Sequence, residues 1–119
     1  MIVRLPRPIS TNGLFKTAGR RRYKSAAYEA WIAAADRLLM TQKRTLRRVA
    51  GPYDILIRVP KSRMDVDNAA KAIIDFCVSR ELTDDDKHAR KVTVQKADGL
   101  DCCEVIITSP AETIRAGEG

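Results

Sequence analysis

The sequence predicts an α+β fold: one small domain in which a mixed β-sheet of about four strands packs with two main helices. Two observations carry this. Stretches that alternate apolar and polar residues, such as "YDILIRV" at 53–59, are interleaved with two stretches whose apolar residues recur at helical spacing. The chain has 119 residues, 45% hydrophobic and 31% charged, which suits one packed core and leaves too little for two ordinary domains. No internal repeat or low-complexity block interrupts it.

Taken in order, "MIVRL" at 1–5 reads as a short strand that stops at Pro6 and Pro8. A loop is expected to about Lys24. From Ser25 to about Lys43 the residues Tyr28, Trp31, Ile32, Ala35, Leu38 and Leu39 fall on one helical face, with Ser25 placed to cap it. Gly51 and Pro52 break the chain before a strand in which Tyr53, Ile55, Ile57 and Val59 share a face, closing at Pro60. A second helix should start near Asp67 or Asn68, bury Ala70, Ile73, Ile74 and Cys77, and end near Arg80. "KVTVQK" and "CCEVIIT" then read as two strands joined through a turn at Asp98 and Gly99. Residues 111–119 read as a flexible tail.

The opening "MIVRLPRPIS" is too short in apolar residues for a secretory signal, and no stretch approaches the roughly 18 apolar residues needed to span a bilayer, so the cytoplasm is expected and a membrane is not. Three cysteines, Cys77, Cys102 and Cys103, are an odd set with no zinc spacing and are read as reduced thiols. Cys77 should pack in the core, and Cys102 and Cys103 should face opposite ways on a strand.

Lysine and arginine total 22 against 15 acids, for a net charge of +7, which suits a polyanionic partner such as nucleic acid. Lys16, Arg20, Arg21, Arg22 and Lys24 cluster around Tyr23 in the glycine-bearing loop, where they can approach phosphates. A second group, Lys43, Arg44, Arg47 and Arg48, fits a helix C-terminus, whose dipole cations complement.

Against this basic background, "SRMDVDNAAKAIIDFC" at 62–77 concentrates acid. In an extended segment Asp65 and Asp67 project to one side, and Lys71, one helical turn beyond Asp67, projects from that side too. Acidic helix capping with an ordinary ion pair would explain these residues alone. A calcium loop would not, since its sixth position would be Ala70 where glycine is needed and its twelfth Phe76 where glutamate is needed. The remaining explanation is a hard-cation site that holds Mg²⁺ or Mn²⁺ and, through it, phosphate oxygens. Such a site asks for a further carboxylate, and Asp84, Asp85 and Asp86 in "LTDDDKHARK" are the candidates, although a solvated acidic turn is the commoner meaning of such a run.

The order of these pieces resembles the RusA-type Holliday-junction resolvases. The pieces are "PISTN", "GRRRYKSAAYEAW", "RMDVDNAAKAIIDFC" with its DxDN-xx-K pattern, and "LTDDDKHARKVTV" with its paired acids; together they span most of the chain. The resemblance implies a homodimeric endonuclease that depends on Mg²⁺, with Mn²⁺ able to replace it, and nicks four-way junction DNA at two symmetric positions. It implies three catalytic aspartates and a lysine: Asp65, Asp67, Lys71 and, counted ungapped from Lys71, Asp86, with Asp85 beside it as a further metal ligand. Asp84 then falls where the family is usually apolar. Lys71 would offset charge in the transition state, and Asn68 would orient an aspartate or cap the helix. Asn12 of the SxN element, Lys16, Arg20, Arg21, Arg22, Lys24 and Arg63 would contact DNA. No small-molecule cofactor is implied. The pattern departs from the family at Glu81 and Leu82, where a glycine and an aromatic often stand, and at Lys87 and His88.

Two rival classes use the same charge differently. One is a noncatalytic basic DNA-binding protein of phage or plasmid origin, and the other a structural protein bound to RNA or ribosomes. Neither a helix-turn-helix nor a zinc signature supports the first.

Overall fold

The computed structural model describes residues 1–10, 13–61 and 69–110. Asn12, Arg63, Asp65, Asp67 and Asn68, the expected start of the second helix, and the tail at 111–119 lie outside the described residues. The fold class is the expected one: a four-stranded mixed sheet, two helices, and in addition a second, two-stranded sheet.

Strand β1 (Ile2–Leu5) alternates exposed and buried residues and ends at Pro6, which cannot donate to a ladder. The sheet is built around β4 (Tyr53–Pro60), whose alternation puts Tyr53, Ile55, Ile57 and Val59 in the core. Strand β5 (Ala89–Ala97) runs parallel to β4 on one side, and β6 (Cys103–Thr108) runs antiparallel to it on the other and also pairs with β1. The order is therefore β1-β6-β4-β5. The Asp98–Gly99 turn forms, with Gly99 at φ 77°, but the two strands it joins do not pair, because β4 lies between them. The most continuously apolar strand takes the centre of the sheet, and the helix that follows it supplies the crossover that a parallel neighbour requires.

Helix α1 (Ala26–Met40) begins where expected: the Ser25 hydroxyl accepts from the Tyr28 N–H at 3.0 Å. It ends three residues sooner than its apolar pattern allows, at a Thr41 cap, and Lys43–Thr45 form a 3-10 turn instead. The Gln42 side chain explains the stop. Its amide accepts from Arg4 N at 2.7 Å and donates to Arg4 O at 2.9 Å, completing the exposed edge of β1.

Helix α2 (Ala70–Ser79) buries Ala72, Ile73, Phe76 and Cys77, whereas Ala70 and Ile74, expected in the core, are only partly covered. The face is rotated towards Phe76, whose ring meets the edge of Trp31 at 5.6 Å and 84°. Full burial of a phenylalanine is worth about 1.5–3 kcal/mol, well above what an alanine gains in the same seam. Arg80 joins the helices by gripping Asp36 through two hydrogen bonds of 2.6 and 2.7 Å. Both groups are partly exposed, so this contributes about 0–1 kcal/mol.

The segment read as a loop contains a hairpin, β2 (Phe15–Ala18) and β3 (Arg21–Lys24). Gly19 takes φ 63°, the positive value that a type II′ turn needs at its first central residue. The hairpin is rooted by buried Leu14 and by Ser25, whose N–H donates to Leu14 O and whose hydroxyl donates to Gly13 O.

All three cysteines are free, as expected. Cys77 and Cys103 are fully buried, and burial pushes their thiols up to about 12. Cys102, expected on the strand facing opposite to Cys103, lies instead in the bend just before β6 and is only partly covered.

The end of α2 carries one strained residue. Leu82 N bonds Cys77 O and Glu81 N bonds Val78 O, which is the Schellman pattern, and Glu81 occupies its left-handed position at φ 59°. Glycine avoids the penalty that a side chain pays there. Glu81→Gly should therefore raise stability by about 0.5–1 kcal/mol, read as a higher urea midpoint at unchanged slope.

Candidate active site

After the Schellman turn the chain re-enters the core: Leu82 and Thr83 are buried, Thr83 bridges Val49, and Leu82 O accepts from Val49 N at 2.9 Å. The acidic run follows at once, and the structure separates its three members. Asp84 turns away from α2 and accepts from the Arg48 guanidinium at 2.6 Å and from the Gly51 N–H, clamping the segment that leads into β4. Asp85 caps a 3-10 turn at Asp86–His88 by accepting from Lys87 N. That turn packs against α2.

The three carboxyls differ accordingly. Hydrogen bonds from Gly51 N–H and Arg48 hold Asp84 below the usual carboxylate range. Asp85 is also lowered, first by a hydrogen bond with the Asp86 side chain and then by the Lys87 N–H. Asp86 is raised, chiefly because Asp85 stands against it, with Asp75 of α2 adding to the repulsion. Two solvent-facing carboxyls pressed together, one of them reluctant to ionise, form a set of hard oxygen donors that a divalent cation would relieve. Beneath them lies the buried Tyr53 hydroxyl. Its pKa is raised first by burial, against a lowering from the Thr83 hydroxyl, with Cys77, Asp86 and Asp85 adding to the rise.

Lys71 is exposed on the first turn of α2, and its Nζ lies 3.2 Å from Asp75 Oδ2. Asp75 is not among the residues that the sequence singles out. Its spacing of four from Lys71 is a visible signal, but the run of apolar residues around it reads only as a buried face. Among the described residues, no three side chains of His, Cys, Asp or Glu are grouped to hold a metal ion. Asp85 and Asp86 are brought together beside α2, Lys71 lies on that helix, and Asp65, Asp67 and Asn68 fall in the stretch just before it.

The basic hairpin stands at the far side of a cleft of about 250 Å³ lined by Phe15, Lys24, Tyr28, Asp75 and Arg80. Its root is aromatic, with Phe15 edge-on to Tyr28 at 5.7 Å. Arg22 stacks over Phe15 at 4.0 Å, and Lys24 lies 5.7 Å from the centre of the Tyr28 ring. Lys16, Arg20, Arg21, Arg22 and Lys24 are all exposed, so the expected DNA-binding cations are presented on strands and their turn.

The model of the family Endodeoxyribonuclease RusA matches residues 6–108, which take in the hairpin, both helices, the acidic turn and the sheet strands after the first. The chain belongs to the RusA endodeoxyribonuclease family. A search of curated proteins gives no match. Membership makes the chain one of a family of endodeoxyribonucleases that resolve Holliday junctions. The RusA match also covers the stretch holding Asp65 and Asp67 together with the turn holding Asp85 and Asp86.

The Asp84 clamp should be visible in the pH dependence of stability. A carboxyl whose pKa is depressed in the folded state contributes stability above its unfolded value, about 3.9, and loses it as pH falls through the folded value. Asp84→Asn should therefore lower the melting temperature at neutral pH, and in thermal melts the gap from wild type should narrow progressively as the pH is taken below about 3.9.

Proposed function

We propose that this chain is a divalent-metal-dependent, homodimeric endonuclease that resolves four-way DNA junctions in the cytoplasm by paired symmetric nicks, serving recombination and repair. The family match carries this reading, and the packing of the Asp85–Asp86 turn against the helix that bears Lys71 supports it. Among the described residues, no helix is long and apolar enough to cross a membrane.

Asp65, Asp67 and Asp86, with Asp85 beside it, are the side chains that would hold Mg²⁺ or Mn²⁺, both of which favour carboxylate oxygens. When bound, the ion polarises the scissile phosphate and lowers the pKa of the attacking water. Asp84 takes no part, because Arg48 and Gly51 already occupy its oxygens. Lys71, four residues after Asp67 in the sequence, carries a positive charge and offsets the negative charge that grows on the phosphate in the transition state. Asn68 orients a neighbouring carboxylate. No small-molecule cofactor is needed.

An acidic pocket repels DNA, so affinity comes from cations outside it. The hairpin supplies them through Lys16, Arg20, Arg21, Arg22 and Lys24, with Asn12 and Arg63 reaching the DNA as well. A two-fold dimer presents two equivalent sites, as symmetric nicking of a junction requires.

Incubation of the protein with a synthetic four-way junction and a matched linear duplex, in Mg²⁺ or EDTA, tests the activity. Paired nicks confined to the junction are expected. They should vanish in EDTA and fall by about 100-fold or more in Asp67→Asn and in Asp86→Asn, the scale of losing one group that stabilises a transition state. Tight junction binding without metal-dependent nicks would favour a noncatalytic binding protein.

Salt dependence tests the hairpin. Replacing Arg20 and Arg21 by alanine should weaken junction and duplex binding alike and flatten the plot of log affinity against log salt by about 0.9 for each phosphate that is no longer neutralised. An unchanged slope would remove the hairpin from the interface.

A further inference from the structure

We infer that Asp75 is a positioning residue for the cleavage step, holding the Lys71 ammonium in place from one helical turn away. This inference rests on the reading of Lys71 as part of a nuclease site. The observation is the ion pair itself: Lys71 Nζ lies 3.2 Å from Asp75 Oδ2, on the helix that the acidic turn packs against.

Folding gains little from a carboxylate at this position. Both partners are partly exposed, and the pair runs lysine first and acid four residues later, the order that complements the helix dipole less well. A long, flexible amine gains from such a partner, because a lysine side chain has four rotatable bonds and reaches many positions unless something tethers it.

Asp75 meets Lys71 on its own helix and also lines the cleft that separates α2 from the basic hairpin. Removing its charge leaves Lys71 free to turn towards solvent or towards a phosphate outside the site. The Asp75 carboxylate does not touch the reacting phosphate and acts through the lysine.

The test is single-turnover cleavage of a four-way junction at saturating protein by wild type, Asp75→Asn, Asp75→Glu, Lys71→Ala and the double variant Lys71→Ala/Asp75→Asn, with junction affinity and melting temperature recorded for each. Asp75→Asn should slow cleavage by about 10- to 100-fold, the usual cost of losing a partner that holds a site group in place, while junction affinity and melting temperature stay near wild type. Asp75→Glu should recover most of the rate, since it restores the charge within reach of Lys71. In the Lys71→Ala background, Asp75→Asn should have no further effect, because nothing remains for it to position. An Asp75→Asn rate equal to wild type, or an equal loss in the Lys71→Ala background, would overturn the inference and leave the nuclease reading standing. A wild-type protein that binds junctions and never cuts them would overturn both.

Discussion

One face of α2 has to be buried in the core, and that requirement places Lys71 and Asp75. The seam of Ala72, Ile73, Phe76 and Cys77 fixes how the helix is rotated about its axis. Rotation in turn decides that Lys71 and Asp75 point away from the core. The same helix receives the DxDN segment at its start and delivers the chain to the acidic turn at its end. A seated α2 therefore fixes where the acidic turn packs without any favourable interaction between acids. Acids brought together repel, so the apolar seam has to bear that cost.

Charge is organised around that seam in two zones. The centre is acidic and the surroundings are basic, and a net charge of +7 hides the division. The hairpin keeps its cations spread over two short strands and a turn, held off the body by an aromatic root. Backbone hydrogen bonds fix the spacing of those cations, which a loose loop would not, so less conformational freedom is lost when phosphates bind. Ser25 has two tasks in this arrangement: its hydroxyl caps α1 and also secures the hairpin root.

The parts of the fold that can be read from sequence are those governed by local periodicity. β4 and α1 show period-2 and helical spacing so clearly that tertiary context changes only the helix end, where Gln42 finds the edge of β1. The hairpin is hidden because Phe15–Lys24 is rich in cations and poor in apolar alternation; its strands pair through backbone and are buried only at the root. The position of β6 is hidden for another reason. A glycine turn suggests that the strands on either side pair with each other, and nothing local announces that β4 will come between them. At the site, the residue types that form the acidic turn are legible and their roles are not. Asp84, Asp85 and Asp86 are identical in kind, and what distinguishes them is the distant partners Arg48 and Gly51, which no short pattern contains. Asp75 escapes notice because its apolar neighbours declare the segment a core face.

The burial of two thiols gives the molecule an internal clock for its own opening. Thiolate is the reactive form, and at neutral pH groups pushed up to about 12 hold almost none of it. Cys102, in the bend before β6 and only partly covered, is open to alkylation at its own pace. Cys77 belongs to the α2 seam and Cys103 to the β1–β6 pair, so each can be labelled only when its own element lifts from the core. Three cysteines thereby report three depths of one domain: the surface, the helix that carries Lys71 and Asp75, and the sheet.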